Sequence, residues 1–346
     1  AMPGAVHRLP EQGALWLHLR LQRGVRERQD WMLRLPMPVL DLVTVYQQEG
    51  GEWRAESAGD TLAVNRWPVQ GRYPVFSLDL PPGEPRDVYV RIQHSTPAQF
   101  PLELVTRTRH TESAQLDYLG LGAALGALLL LIASCLATGW VYRDRGFAWY
   151  AAYAALTSLA MSAYTGVAAQ FLWPGFGLLQ DAPTNMLACL AVGAAVLFVR
   201  NTLGLRRRLP ALDRLSLVLG AAAPAVALLA TVLPKAAFLP VMGAYVCAAS
   251  GTALAMSAMG WRRGDAVARW VFVAQFPLVA AVVLTVTRNL GWLDLPFVPQ
   301  YTVILGLAVE VPLLLVALFM RSRDRHSAEV REQALTTHDA LTGLLA

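Results

Sequence analysis

Side chains able to do chemistry are few in this chain, and they do not assemble into a catalytic set. The six histidines, His7, His18, His94, His110, His326 and His338, are too scattered for metal-ligand spacing. Cys135, Cys189 and Cys247 all lie in apolar stretches, so neither a disulfide framework nor a thiolate metal site is indicated. No Ser/His/Asp set and no paired carboxylates stand out before residue 118. One carboxylate stands apart. Glu310, in Gly306-Leu307-Ala308-Val309-Glu310-Val311-Pro312, lies well inside an apolar stretch, where a charge is costly unless paired, neutral or wet. It reads either as part of a polar contact that differs between two states of the molecule, or as a hydrogen-bonded packing residue. Pro312 beside it adds a kink in both cases. The remaining candidates are aromatic. Trp16, Trp31, Trp53, Trp67, Tyr46, Tyr73 and Tyr89 are many for the first third of the chain, and such side chains are mostly core. Trp53, Trp67 and Tyr73 lie next to expected turns and are the candidates for contact with a bound sugar or peptide.

The elements that must position these residues divide the chain. Seven long apolar stretches, Tyr118–Tyr142, Phe147–Phe171, Ala182–Val199, Leu215–Leu233, Ala236–Trp261, Trp270–Thr287 and Phe297–Met320, follow one another with short polar breaks. Each is near the roughly 20 residues that a helix needs to cross a bilayer core. The 55 % hydrophobic content and mean hydropathy of +0.41 exclude a purely soluble protein. Residues 1–117 instead alternate with period two: Leu15, Leu17, Leu19 and Leu21 share one face, with Trp16, His18 and Arg20 on the other. Similar strands are expected at Trp31–Leu35, Val39–Tyr46, Val75–Leu80, Val88–His94 and Leu102–Thr106. Turn chemistry at Glu49-Gly50-Gly51-Glu52, Ala58-Gly59-Asp60 and Pro81-Pro82-Gly83-Glu84 separates them. The expected fold is an all-β jelly-roll sandwich over 1–117, a seven-helix transmembrane bundle over 118–320 and a short signalling helix over 321–338.

Charge sets the orientation. The net charge of +5 comes from arginines at the ends of apolar stretches, which argues against a nucleic-acid partner. Arg143, Arg145, Arg200, Arg206, Arg207, Arg208, Arg262, Arg263, Arg321, Arg323 and Arg325 all fall on one side of the bundle, leaving Lys235, the sole lysine, and Arg288 on the other. The arginine side is cytoplasmic and the N-terminus lies outside. An exported N-terminal domain implies a removed signal peptide, with Ala1-Met2 as a remnant. A retinal Schiff base is excluded because Lys235 is in a loop. A transporter would show internal repeats or more intramembrane charges.

After Arg321 the chain is charged and helix-prone. Met320, Ser327, Ala334 and Leu341 are spaced by seven, which suits a weak coiled-coil seam or a solvated continuation of the last span.

The N-terminal pattern resembles the type-two extracellular sensor domain of bacterial seven-transmembrane receptors with diverse intracellular signalling modules. The resemblance is carried by Trp16-Leu17-His18-Leu19, the strand Leu40–Tyr46, the Gly59-Asp60 turn, Pro74, and the run Phe76–Gly83 leading to Val88–Gln93. It implies a periplasmic jelly roll similar to carbohydrate-binding modules. The tail run Asp339-Ala340-Leu341-Thr342-Gly343-Leu344 resembles the opening of a GGDEF diguanylate cyclase domain, with Ala346 where that family has Asn. The resemblance implies a bacterial inner-membrane receptor, N-terminus periplasmic and C-terminus cytoplasmic, in contact with membrane lipid. It would sense a small-molecule or glycan ligand and act as a homodimer. Its output would be cyclic di-GMP made from GTP with magnesium by a domain that begins at residues 339–346. None of the cyclase's catalytic residues or cofactors falls within the chain, which is expected to be catalytically inert. A receptor histidine kinase of the same architecture and a membrane binding or transport protein remain as alternatives.

Overall fold

The computed structural model describes residues 6–8, 13–27, 30–95, 99–175, 181–204, 209–289 and 301–337. Arg206, Arg207 and Arg208, and the output-domain residues Asp339, Leu341, Thr342, Gly343 and Leu344, lie outside the described residues.

The N-terminal domain contains strands β1 (Val6–Arg8), β2 (Ala14–Gln22), β3 (Trp31–Arg34), β4 (Leu42–Glu49), β5 (Glu52–Ala58), β6 (Val75–Leu78), β7 (Pro85–Gln93), β8 (Gln99–Pro101) and β9 (Glu103–Thr106). Two antiparallel sheets are ordered β2-β7-β4-β5 and β6-β3-β9, and β1-β8 forms a separate short antiparallel pair. Alternation decides which side chains meet between them. Val88, Val90 and Ile92 of β7 and Val43 and Val45 of β4 turn inward against Leu33 of β3 and Phe76 of β6, while Tyr89 and Arg91 turn outward. β4 and β5 are joined by the two-residue turn Gly50-Gly51, both at positive φ (62° and 92°). This geometry matches the twist of a tight hairpin, and glycine adopts it without strain. The turn was legible in the sequence, but β5 was not. Glu-Trp-Arg-Ala-Glu-Ser-Ala carries no apolar alternation because this edge strand is largely exposed.

The helical part comprises α1 (Arg107–Tyr142), α2 (Arg145–Tyr164), α3 (Val167–Phe171), α4 (Asp181–Leu203), α5 (Pro210–Val232), α6 (Lys235–Arg262), α7 (Ala266–Asn289) and α8 (Tyr301–Thr337). α1 starts at the residue after β9, capped by Thr106, whose hydroxyl accepts from the Arg109 N–H at 3.3 Å. Six described helices, α1 and α4 to α8, are long and apolar enough to cross a membrane. α2 is not among them. The stretch Phe147–Phe171, expected as a single span, is divided by Gly166 at φ +79°. The α2 portion is rich in Tyr, Ser and Thr and is buried along its length. Both serine hydroxyls are satisfied by carbonyls one turn back: Ser158 donates to Ala154 O at 2.7 Å and Ser162 to Ser158 O at 2.8 Å. α2 is therefore an interior helix, packed against α1, α4 and α8.

Small residues bring the helices together. A Cβ at Gly193 in α4 would overlap Ala223 in α5, and one at Gly220 in α5 would overlap Leu197 in α4. The Tyr245 hydroxyl in α6 ties into the same seam by donating to Leu219 O at 3.2 Å. α8 runs without a break through residue 320, where the bundle was expected to end, into its polar continuation. Replacing Gly193 with Leu should force α4 from α5 and lower stability by about 1–3 kcal/mol. A reduced melting temperature of the detergent-solubilised chain would show this, and an unchanged one would contradict the close packing.

Candidate functional site

The buried carboxylate of Asp41, just before β4, is where the sheet domain meets the helices. Lys235, first residue of α6, donates from Nζ to Asp41 Oδ1 at 2.6 Å and lies 3.8 Å from Asp60 Oδ2. His94 Nδ1 is 2.9 Å from the same Oδ1. The Ser95 N–H donates to Oδ2 at 2.7 Å, and its hydroxyl donates there as well. Burial alone would raise the Asp41 pKa; the His94 hydrogen bond and the charge of Lys235 outweigh it and hold the carboxyl well below the usual carboxylate range. The Asp41 carbonyl also accepts from the Thr61 hydroxyl at 2.6 Å. Gly59 passes so close to that carbonyl that a Cβ there would overlap it.

Two further contacts complete the junction. Arg72, buried in the loop before β6, is ion-paired with Asp117 of α1, and its guanidinium lies 4.9 Å from the Tyr73 ring centre. Its backbone carbonyl occupies the space that a Cβ at Gly166 would need, so the end of α2 admits the loop because residue 166 is glycine. Arg34 of β3 donates to Glu103 Oε2 at 2.5 Å and to the Ser113 hydroxyl in α1 at 2.6 Å. The sheet domain thus engages α1, the α2–α3 turn and the start of α6.

The aromatic candidates separate by burial. Trp53 is 53 % exposed on β5. Trp67 is 6 % exposed and belongs to the sheet-domain core, with Nε1–H donating to Leu62 O at 3.1 Å. Tyr73 is 3 % exposed, and burial pushes its hydroxyl pKa up. It lines a cavity of about 260 Å³ at the junction, shared with Arg72, His110, Tyr118 and Gln170. The expectation that Trp67 and Tyr73 are exposed is therefore corrected: their loop is pressed between sheet and bundle instead of facing solvent.

The exposed aromatic set lies elsewhere. Trp16 stacks on Tyr46 (ring centres 5.6 Å apart) with the Arg91 guanidinium at 5.9 Å; His18 stacks on Tyr89 at 4.7 Å, and Trp53 leans on Tyr89 at 5.6 Å. Strand register places these residues on the outward face of β2, β7, β4 and β5. His18 Nε2 is 2.8 Å from Asp87 Oδ1, which orients that ring.

Within the bundle, Glu310 of α8 is 4 % exposed, and its Oε2 accepts from the Tyr153 hydroxyl of α2 at 3.1 Å. One residue on, Tyr150 of α2 donates to Val311 O at 2.7 Å. Pro312 follows inside the same helix. No group of three His, Cys, Asp or Glu side chains able to hold a metal ion occurs among the described residues.

Residues 117–321, more than half of the chain, match the family described as 7TM diverse intracellular signalling. The chain belongs to this family. Residues 8–106 match a second description, 7TMR-DISM extracellular 2, which covers the two-sheet domain. This 7TM diverse intracellular signalling receptor is accordingly a multi-pass membrane protein with an extracellular N-terminal sensor domain. A search of curated proteins gave no match.

Sequence reasoning located Glu310 in this receptor but missed its partner Tyr153, which lies 157 positions away. It also missed the Asp41 centre. The available signal was Lys235, the sole lysine of the chain, on the side where cations are scarce. For the aromatic face the signal was Trp16 and His18, set opposite the leucines of β2.

Replacing Lys235 with Met should cost about 2 kcal/mol, less than a fully enclosed pair because His94 and Ser95 still contact Asp41. Lys235→Arg should retain most of it. Because the Asp41 pKa is lowered in the folded state, this contribution is complete above the unfolded carboxylate value of about 4 and is lost only as pH falls through the depressed value. Hydrogen exchange around residues 41–45, followed in the wild type and both variants, measures the effect. Equal protection in all three would exclude Lys235 as the anchor.

Proposed function

We propose that the chain is the sensing and transmitting part of a bacterial inner-membrane receptor, with a periplasmic jelly-roll domain that binds a glycan. In this reading α2 crosses the membrane as the seventh span, the arginine-rich helix ends face the cytoplasm, and α8 leads into a diguanylate cyclase domain beginning at Asp339. That domain would condense two GTP molecules to cyclic di-GMP with bound magnesium, in a homodimer. The observation that carries the reading is the direct continuation of β9 into α1, which joins the sensor domain to the signalling bundle without a linker. The face formed by Trp16, Tyr46, Tyr89 and Trp53 supports the glycan assignment. Its flat rings suit the C–H faces of sugars, and His18, Asp87 and Arg91 beside them suit hydroxyl groups. Glu310 and Pro312 are assigned to the change between signalling states, because the Tyr153 contact joins the interior helix α2 to the output-bearing helix α8.

The test is cyclic di-GMP production by the receptor extended through its cyclase domain, reconstituted in lipid, with and without periplasmic glycans. A glycan should change the output, and Trp16→Ala or Trp53→Ala should weaken its binding by up to about tenfold each. Output insensitive to every glycan, with binding unaffected by both substitutions, would overturn the assignment. Glu310→Gln should preserve insertion while shifting basal output at least about threefold, the effect of losing part of one hydrogen bond that differs between two states. Unchanged output would leave it a packing residue.

A further inference from the structure

We infer that the cavity lined by α2, α4, α6, α7 and α8 is an intramembrane binding site for a small uncharged amphiphile, with its hydroxyl shared between Gln275 and Glu310 and its hydrocarbon part filling the apolar remainder. The cavity has a volume of about 260 Å³. Its walls are mostly Ala, Val, Leu and Met, and such voids forfeit dispersion contacts until something apolar fills them. An engineered cavity of roughly 150 Å³ accepts benzene, so this one has room for a chain of about eight carbons.

The polar groups specify the head. Gln275 is 8 % exposed and lines the cavity, and its Nε2 has no hydrogen-bond partner among the described residues. A buried amide donor left in this condition calls for an acceptor. Glu310 lines the same cavity, with Oε2 engaged by Tyr153. A ligand that accepts from Gln275 and donates to Glu310 satisfies both, and a hydroxyl does both at once. A carboxylate head would set an anion beside Glu310. An ammonium head would pair with Glu310 but leave the Gln275 N–H without an acceptor.

The site is also built to report its occupancy. Gln275 lies two residues before Pro277 and Glu310 two before Pro312, so each polar group adjoins a break in its helix's hydrogen-bond ladder. α7 and α8 pack closely at Gly306, where a Cβ would lie 3.0 Å from the Ala281 Cβ and 3.1 Å from Pro277 O. An occupant touching Gln275 and Glu310 therefore acts on the pair of helices that ends in the cytoplasmic continuation of α8. This inference is independent of what binds the aromatic face.

The experiment places the chain in lipid nanodiscs and irradiates it with an octanol bearing a diazirine, or with the matching octane probe, before mapping labelled residues by mass spectrometry. The octanol probe should label cavity residues such as Val246 and Leu278, and excess 1-octanol should block it. Gln275→Leu should reduce this labelling by about five- to tenfold, the worth of one hydrogen bond, and the octane probe should be indifferent to the substitution. Ala195→Leu, which fills the cavity from α4, should remove octanol labelling while the melting temperature holds or rises, so the idea does not depend on one variant folding. Labelling confined to outward residues such as Leu228 and Phe276 would overturn the proposal. Equal labelling of wild type and Gln275→Leu would also overturn it, because an acyl chain would then be filling the void without recognition of the hydroxyl.

Discussion

A carboxylate removed from water must be given partners, and at Asp41 those partners come from both halves of the molecule. His94 and Ser95 lie just past the end of β7, whereas Lys235 belongs to the first turn of α6, and all reach the same side chain. Desolvation alone would make this an unfavourable place for a charge, and Lys235 of the helices supplies part of what offsets it. The requirement is mutual. Lys235 opens a helix at the membrane boundary, and its ammonium is 15 % exposed, so it too depends on Asp41 and Asp60. The junction behaves as one polar unit whose members were drawn from chain positions nearly two hundred residues apart.

The same accounting orders the interior of the bundle. α2 is rich in hydroxyls and buried over much of its length, and the hydroxyls of Tyr150, Tyr153, Ser158 and Ser162 each bond a carbonyl or a neighbouring helix. Ser158 and Ser162 turn back onto α2 itself, whereas Tyr150 and Tyr153 reach α8 at Val311 and Glu310. α4 and α5 meet by close packing at Gly193 and Gly220, with one hydroxyl, Tyr245 of α6, bonded to Leu219 O of α5. α2 and α8 are thus joined by two polar contacts, at Glu310 and Val311. α2 ends at Gly166 under the sheet domain, and α8 is the helix that leaves the bundle on the far side.

How much of this was legible in the sequence depends on the range of the interaction. Period-two alternation identified β2, β4 and β7, and apolar length identified the long helices, because both signals are local. Glycine pairs marked the β4–β5 turn for the same reason. β5 escaped because an exposed edge strand has no buried face to write into its sequence. The division of the expected span at Gly166 escaped because one glycine in a helical pattern is ordinarily tolerated; here it ends the helix by making room for the Arg72 backbone. Proximity to turns misplaced Trp67 and Tyr73, since a turn is exposed only when nothing docks on it. Glu310 was conspicuous by chemistry alone. Tyr153, His94 and Lys235 were not, because pairings across the fold leave no spacing to read.

The position of the aromatic face relative to Asp41 bears on how the two halves communicate. Leu42 pairs with Gln93 and Tyr46 with Tyr89, so the same two central strands carry the Asp41 network at one end and the exposed rings four residues along. That separation is about 13 Å of extended chain. β4 and β7 are paired on both sides and cannot bend locally without breaking a ladder. If a ligand binds the aromatic face as proposed, a pull on Tyr46 and Tyr89 would be carried along β4 and β7 toward Asp41, His94 and Ser95. Lys235 is held to Asp41 at 2.6 Å, and separating them would leave a poorly solvated charge on each side. In that reading the start of α6 and α1, which follows β9 directly, would both receive the pull. Such a movement would change an equilibrium between bundle arrangements only if the ligand favours one of them, and strands paired on both sides would carry that preference to the helices.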